Sequence, residues 1–116
     1  MFSLTSSYRY YVYSEHTDMR KSFDGLCGII NDEINLEPTC GVVFIFMNKR
    51  KNQIKLLQWS HGGFVLYYKR LETGTFDKPN LLMNDKGLYI EWAQLVMMIE
   101  GISIKNIQKK KRYKID

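Results

Sequence analysis

The sequence predicts an α+β domain: one antiparallel sheet of about four strands in a meander, a helix packed on one face, and a second, C-terminal helix. Two patterns carry this reading. Three apolar segments with the period or run length of strands follow each other between residues 42 and 70, separated by short turns, which favours antiparallel neighbours. Two other segments, around residues 19–34 and 92–102, repeat apolar residues every three or four positions, the period of a helix face.

Each element has its own signal. Residues 1–7 are Ser- and Thr-rich and read as a loose N-terminus. Tyr8 to Tyr13 is aromatic and β-branched, a strand signature. Thr17 or Asp18 offers a helix N-cap, followed by Met19, Phe23, Leu26, Cys27, Ile30 and Ile34 on one helical face. Gly25 and Gly28 interrupt that helix at a cost in propensity, and close packing on a sheet would explain them. Glu37-Pro38 ends the helical region.

Val42 to Met47 is an unbroken apolar run, as expected of a strand buried on both faces. Asn48 to Asn52 is a polar, basic turn, and Gln53 to Trp59 is the next strand. The Ser60-His61-Gly62-Gly63 turn leads to a strand from Phe64 to Arg70. In that strand alternation puts Phe64, Leu66 and Tyr68 on one face and Val65, Tyr67 and Lys69 on the other. Leu71 to Asn84 reads as a weakly ordered loop, with Leu88 to Ile90 as a short extension. Trp92, Leu95, Val96, Ile99 and Ile102 form the last helical face, with Gly101 as its stop. The domain organisation that follows is a single unit over residues 8–104 and a basic tail over 105–116.

The chain has 116 residues, 45% of them hydrophobic, which fits one domain with its own core and excludes both disorder and a multi-part enzyme. Its net charge of +5 is unevenly placed. Residues 1–100 hold 11 basic and 11 acidic side chains, so the excess lies in the tail, chiefly Lys109, Lys110, Lys111 and Arg112. That tail suits non-specific phosphate contacts or simple solvation. Two cysteines cannot build a disulfide framework, no apolar run is long enough to span a membrane, and no signal-peptide pattern opens the chain. These features predict a cytoplasmic protein.

Catalytic constellations are weak. Cys27 with His16 or His61 offers a thiol and a base, but Cys27 lies on the apolar helix face. No Cys or His pair has zinc-ligand spacing, and Asp24, Asp32 and Glu33 read as a solvated helix face, not a metal-binding carboxylate cluster. No Gly-rich phosphate loop is present. The expectation is a protein that is not an enzyme, takes no cofactor, metal or small-molecule substrate, and does not enter membranes.

Nucleic-acid binding has more support. Lys49, Arg50 and Lys51 fill one turn, Lys55 follows, and Lys69 and Arg70 end the next strand. Trp59, Phe64, Tyr67 and Tyr68 lie between them. Cations neutralise phosphates and aromatic rings stack on bases, so this interleaving suits DNA. The plainer alternative is that the aromatics are core and the cations keep the hairpin hydrated.

Several spaced blocks resemble a known family. They are Val12-Tyr13 with Thr17-Asp18-Met19-Arg20-Lys21-Ser22-Phe23-Asp24-Gly25-Leu26, then Val43 to Asn52, Gln53 to Trp59, Gly63 to Phe76, and Trp92-Ala93-Gln94-Leu95 through Ile99-Glu100-Gly101-Ile102. In this order they resemble the TnpB-type (Orf-two-like) accessory proteins of the insertion-sequence sixty-six family, across roughly residues 12–104. The RNA-guided nucleases that share the TnpB name are unrelated and far longer. The resemblance lapses over residues 77–90 and in the tail beyond Lys105.

The resemblance implies a small helper of DNA transposition encoded beside a separate, larger transposase, with no assigned catalytic residue. Lys49, Arg50, Lys51, Lys55, Lys69, Arg70 and Glu72 fall on the family's basic-turn and Lys-Arg-Leu-Glu positions. Two readings follow: contact with DNA at the element ends through the basic hairpin, or an adaptor role in which 16 aromatic residues leave a patch for the transposase or another element-encoded protein.

Overall fold

The computed structural model describes residues 4–79 and 85–100. Strand β1 (Arg9–Tyr13) leads into helix α1 (Phe23–Ile29), which continues as a π-helical turn, Ile30–Ile34. Strands β2 (Val42–Met47), β3 (Gln53–Ser60) and β4 (Gly63–Arg70) follow, then β5 (Gly87–Ile90) and helix α2 (Trp92–Ile99).

The α+β class holds, but the sheet has five strands in the order β4-β3-β2-β1-β5 and is mixed. The β2-β3-β4 meander is antiparallel, as expected. Strand β1 pairs parallel with β2, Tyr10 opposite Val43 and Val12 opposite Ile45. The intervening helix carries the chain back to the same end of the sheet, and that crossover makes the pair parallel. Strand β5 closes the far edge antiparallel to β1. Gly87 sits where a Cβ would overlap the Tyr11 ring and the Val12 carbonyl oxygen, so only glycine lets β5 approach β1 this closely.

All six residues of β2 are buried, because the central strand is covered on both faces. One face carries Tyr11, Tyr13, Phe44, Phe46 and Leu57 against Leu26, Ile30 and Ile34 of the first helix and its π-turn. The other carries Tyr10, Val12, Val43, Ile45, Met47, Ile54 and Leu56 against Phe76 and against Leu95 and Met98 of α2. The second helix therefore lies on the face opposite α1.

Three local expectations change. Thr17 and Asp18 do not begin the helix, whose N-cap is Ser22, because the backbone of residues 17–21 is tied to the sheet instead. The Thr17 amide donates to the Met47 carbonyl, and the carbonyls of Met19 and Lys21 accept from the Lys55 ammonium. Gly25 and Gly28 do not mark close helix–sheet packing either. A Cβ on Gly25 would press on Lys21, and one on Gly28 would meet nothing. At the N-terminus Leu4 is buried in the core and the Thr5 carbonyl accepts from the Tyr10 hydroxyl at 2.6 Å, so residues 4–7 are tethered rather than loose.

The segment from Leu71 to Asn84 is fixed over its described part. Phe76 is 1% exposed, and its amide donates to the Lys51 carbonyl. The Leu71 amide donates to the Asn52 carbonyl, so the loop is bonded to the basic turn at both places. Lys109, Lys110, Lys111 and Arg112 lie outside the described residues.

A candidate nucleic-acid interface at the basic turn

The β2–β3 turn is built around Asn48. Its side-chain oxygen accepts from the amides of Asn52 (3.0 Å) and Gln53 (2.9 Å), and its amide nitrogen donates to the Asn52 side chain at 2.6 Å. Lys51 adopts positive φ (60°) to close the turn, a conformation tolerated by single residues at a local cost. This lattice leaves Lys49, Arg50 and Lys51 exposed, and none of the three is ion-paired among the described residues.

The turn faces the crossover segment after β1. His16 to Arg20 on one side, and Asn48, Lys49, Arg50, Gln53 and Tyr68 on the other, line a groove of about 710 Å³. Arg20 was not anticipated as a site residue, and the geometry brings it opposite the turn. Its guanidinium is paired with Asp18, the closest contact being 2.7 Å, and is 92% exposed. The Arg20 guanidinium and amide, bonded to Asp18, hold that carboxyl down at about 2, so it stays ionised. Arg20, Lys21, Lys49, Arg50 and Lys51 set five cations against the single carboxylate of Asp18 on these two segments. The one sequence signal for Arg20 is its place in the motif block shared with the resembled family.

The other predicted cations are used differently. Lys55 is 8% exposed, and its ammonium donates to the carbonyls of Met19 (2.8 Å) and Lys21 (2.7 Å). It is a buried strut joining β3 to the crossover, so its assignment as a phosphate contact is corrected. Alternation explains the error. Odd positions of β3 face the same side as α1, and Lys55 points inward among them. Lys69 is on the opposite face, where its ammonium donates to the Ile99 carbonyl at the end of α2 (2.6 Å), a favourable place for a cation. Arg70 is exposed and pairs with Glu72 at 3.1 Å. The cations thus form no stripe along the strands; Lys49, Arg50 and Lys51 gather at the turn, with Arg20 and Lys21 exposed on the facing segment.

The aromatics also divide. Trp59 and Phe64 pair edge-to-face, with ring centroids 4.9 Å apart, and are half-buried. Tyr67 packs against the α2-side core. Tyr68 alone of these is exposed, at 54%, on the groove.

The catalytic candidates are not assembled. Cys27 packs against the α1-side core, and burial pushes its thiol up, away from the reactive thiolate. His61 stands on the β3–β4 turn beside Ser60, while His16 lines the groove. Among the described residues no cluster of three or more His, Cys, Asp or Glu is placed to hold a metal ion. No helix among them is long and apolar enough to cross a membrane.

Fold and groove together define a small mixed-sheet domain with Lys49, Arg50 and Lys51 exposed on one turn and Arg20 and Lys21 exposed on the segment facing it. The family model described as IS66 Orf2 like protein matches residues 8–109. The chain belongs to this insertion-sequence family, and the match spans residues 77–90 and the start of the tail, where the motif blocks lapse. Two curated proteins of Sinorhizobium fredii (strain NBRC 101917 / NGR234) are similar. The uncharacterized protein y4jC is 26% identical over 102 residues, covering 88% of this chain and 86% of the relative. The uncharacterized protein y4hO is 31% identical over 102 residues, covering 87% and 86%. No solved structure matches the chain at a significant level.

Proposed function

We propose that the protein is a non-catalytic accessory factor of a bacterial insertion sequence that assists transposition by contacting DNA, with the element ends as its target and a separate transposase as its co-worker in the cytoplasm. Lys49, Arg50 and Lys51 engage phosphates, and Arg20 reaches the same strand from the opposite wall. Arg70 assists from the end of β4, beside Gln53 in the strand register. Lys55 and Lys69 act as supports.

The observation that carries this reading is the convergence of exposed cations from two separate segments on one groove, in a chain whose first hundred residues sum to zero charge with these cations counted. Such a concentration against a neutral background is the electrostatic footprint of a phosphate-binding surface. Phosphate contacts release counterions, so affinity falls with salt at a slope of about 0.9 per contact. Titration of duplex DNA carrying an element end, across a salt series, tests this. Changing Lys49, Arg50 and Lys51 to Ala should weaken binding and flatten the slope by about 2 to 3. Unchanged affinity and slope would remove the turn from the interface.

The adaptor reading rests on the edge of the sheet. Strand β4 has no neighbour on its outer side among the described residues, and Val65 on it is 37% exposed. The exposed aromatics do not reinforce it, since Phe23, Tyr68 and Tyr89 sit on three different elements. Co-purification with the transposase that persists in the Lys49, Arg50 and Lys51 variant would favour the adaptor role.

A further inference from the structure

The ring of Tyr68 is held from two sides. Its hydroxyl donates to the Gln53 side chain at 2.5 Å, and the Lys55 ammonium lies over the ring, 5.2 Å from its centroid. Lys55 is itself fixed by two backbone carbonyls. The ring is therefore presented in one orientation, backed by a cation, and still 54% exposed toward the groove. A large aromatic left open on a strand costs stabilisation that burial would supply, while a fixed ring loses little entropy when a second ring stacks on it.

Two further features point to a polar, anionic ligand beside the ring. Lys49, Arg50 and Arg20 border it. Thr17 also lines the groove, and its hydroxyl is buried with no hydrogen-bond partner. A buried hydroxyl of this kind normally has a partner.

We infer that the groove takes an unpaired nucleotide of single-stranded DNA, the base stacked on Tyr68 and its flanking phosphates held by Lys49, Arg50 and Arg20. Within a duplex a base is stacked on its neighbours and cannot lie flat on the ring, so the site selects frayed or displaced strands. This rests on the DNA-contact reading and sharpens it. Stacking and phosphate contact separate cleanly in a comparison of a twelve-nucleotide oligothymidylate with an abasic strand of the same length, which keeps the phosphates and lacks the bases.

The full chain should bind the oligothymidylate roughly tenfold more tightly than the abasic strand. Tyr68→Leu should erase that ratio and leave abasic affinity unchanged, and Tyr68→Phe should preserve it. Lys49→Ala with Arg50→Ala should weaken both strands alike. If wild type binds neither strand nor duplex, the DNA reading itself fails. If it binds both strands but Tyr68→Leu leaves the ratio intact, the stacking site is overturned while the DNA reading stands. A readout without a variant uses a strand bearing 5-iodouracil. Cross-linking to Tyr68 supports the site, and cross-linking confined to other residues overturns it.

Discussion

Lys55 shows how far a residue's role depends on where its strand points it. By type and position it belongs with the basic turn, and only its inward orientation turns it from a phosphate contact into a backbone strut. Replacing it with Met should leave two carbonyls short of a donor and lower stability by about 1–3 kcal/mol. Denaturant unfolding measures that loss. The variant should also loosen the Met19–Lys21 segment and the Tyr68 ring, lowering DNA affinity without changing the salt slope. A slope reduced by about 0.9 with stability intact would restore Lys55 as a phosphate contact. Arg20 is the converse case. Its sequence context, beside Asp18 and Lys21, looks like ordinary helix-start polarity, and only the fold sets it across from Lys49 and Arg50.

At the scale of elements, the strands of the meander were legible because their signals are local. The apolar run of β2 coincides with the observed strand, and β3 and β4 differ from expectation by a residue at one end. The parallel β1–β2 pair was not legible as such, because pairing direction depends on where the crossover helix returns the chain. Nor was the start of α1, where Thr17 and Asp18 have the residue types of a cap while the sheet claims the backbone donor of Thr17. The 71–79 segment misled for a related reason. Gly74, Asp77 and Pro79 speak for a loop, which it is, but its order comes from long-range contacts, chief among them the burial of Phe76. Phe76 fills the core beside Met47 and Ile54 and ties the loop to the basic turn. Phe76→Ala should therefore cost about 3–5 kcal/mol, as for a core aromatic, measured by urea unfolding. A cost below about 0.5 kcal/mol, the range of an ordinary surface site, would show that the loop is not part of the core.

Across the whole molecule, the sheet separates two jobs. The layers on its faces bury the apolar residues of β2 and most of those of β1 and β3, and the turn end of the β2–β3 hairpin carries the exposed charge of Lys49, Arg50 and Lys51. The net +5 of the chain comes from residues beyond 100, yet the concentrated feature of the described domain is the groove between the 16–20 segment and the basic turn. Half of that site was readable, because a run of three cations in a turn is visible in any sequence. The facing wall was not, since residues 16–20 are brought to 48–50 by long-range contacts: the β1–β2 pairing, the Thr17–Met47 hydrogen bond and the Lys55 strut. The claim that this groove is where DNA binds is tested most directly by backbone amide NMR during titration with a short DNA strand. Shifts should concentrate at residues 16–20, 48–51 and 68. Shifts confined to β5 and α2, with these residues unmoved, would contradict it.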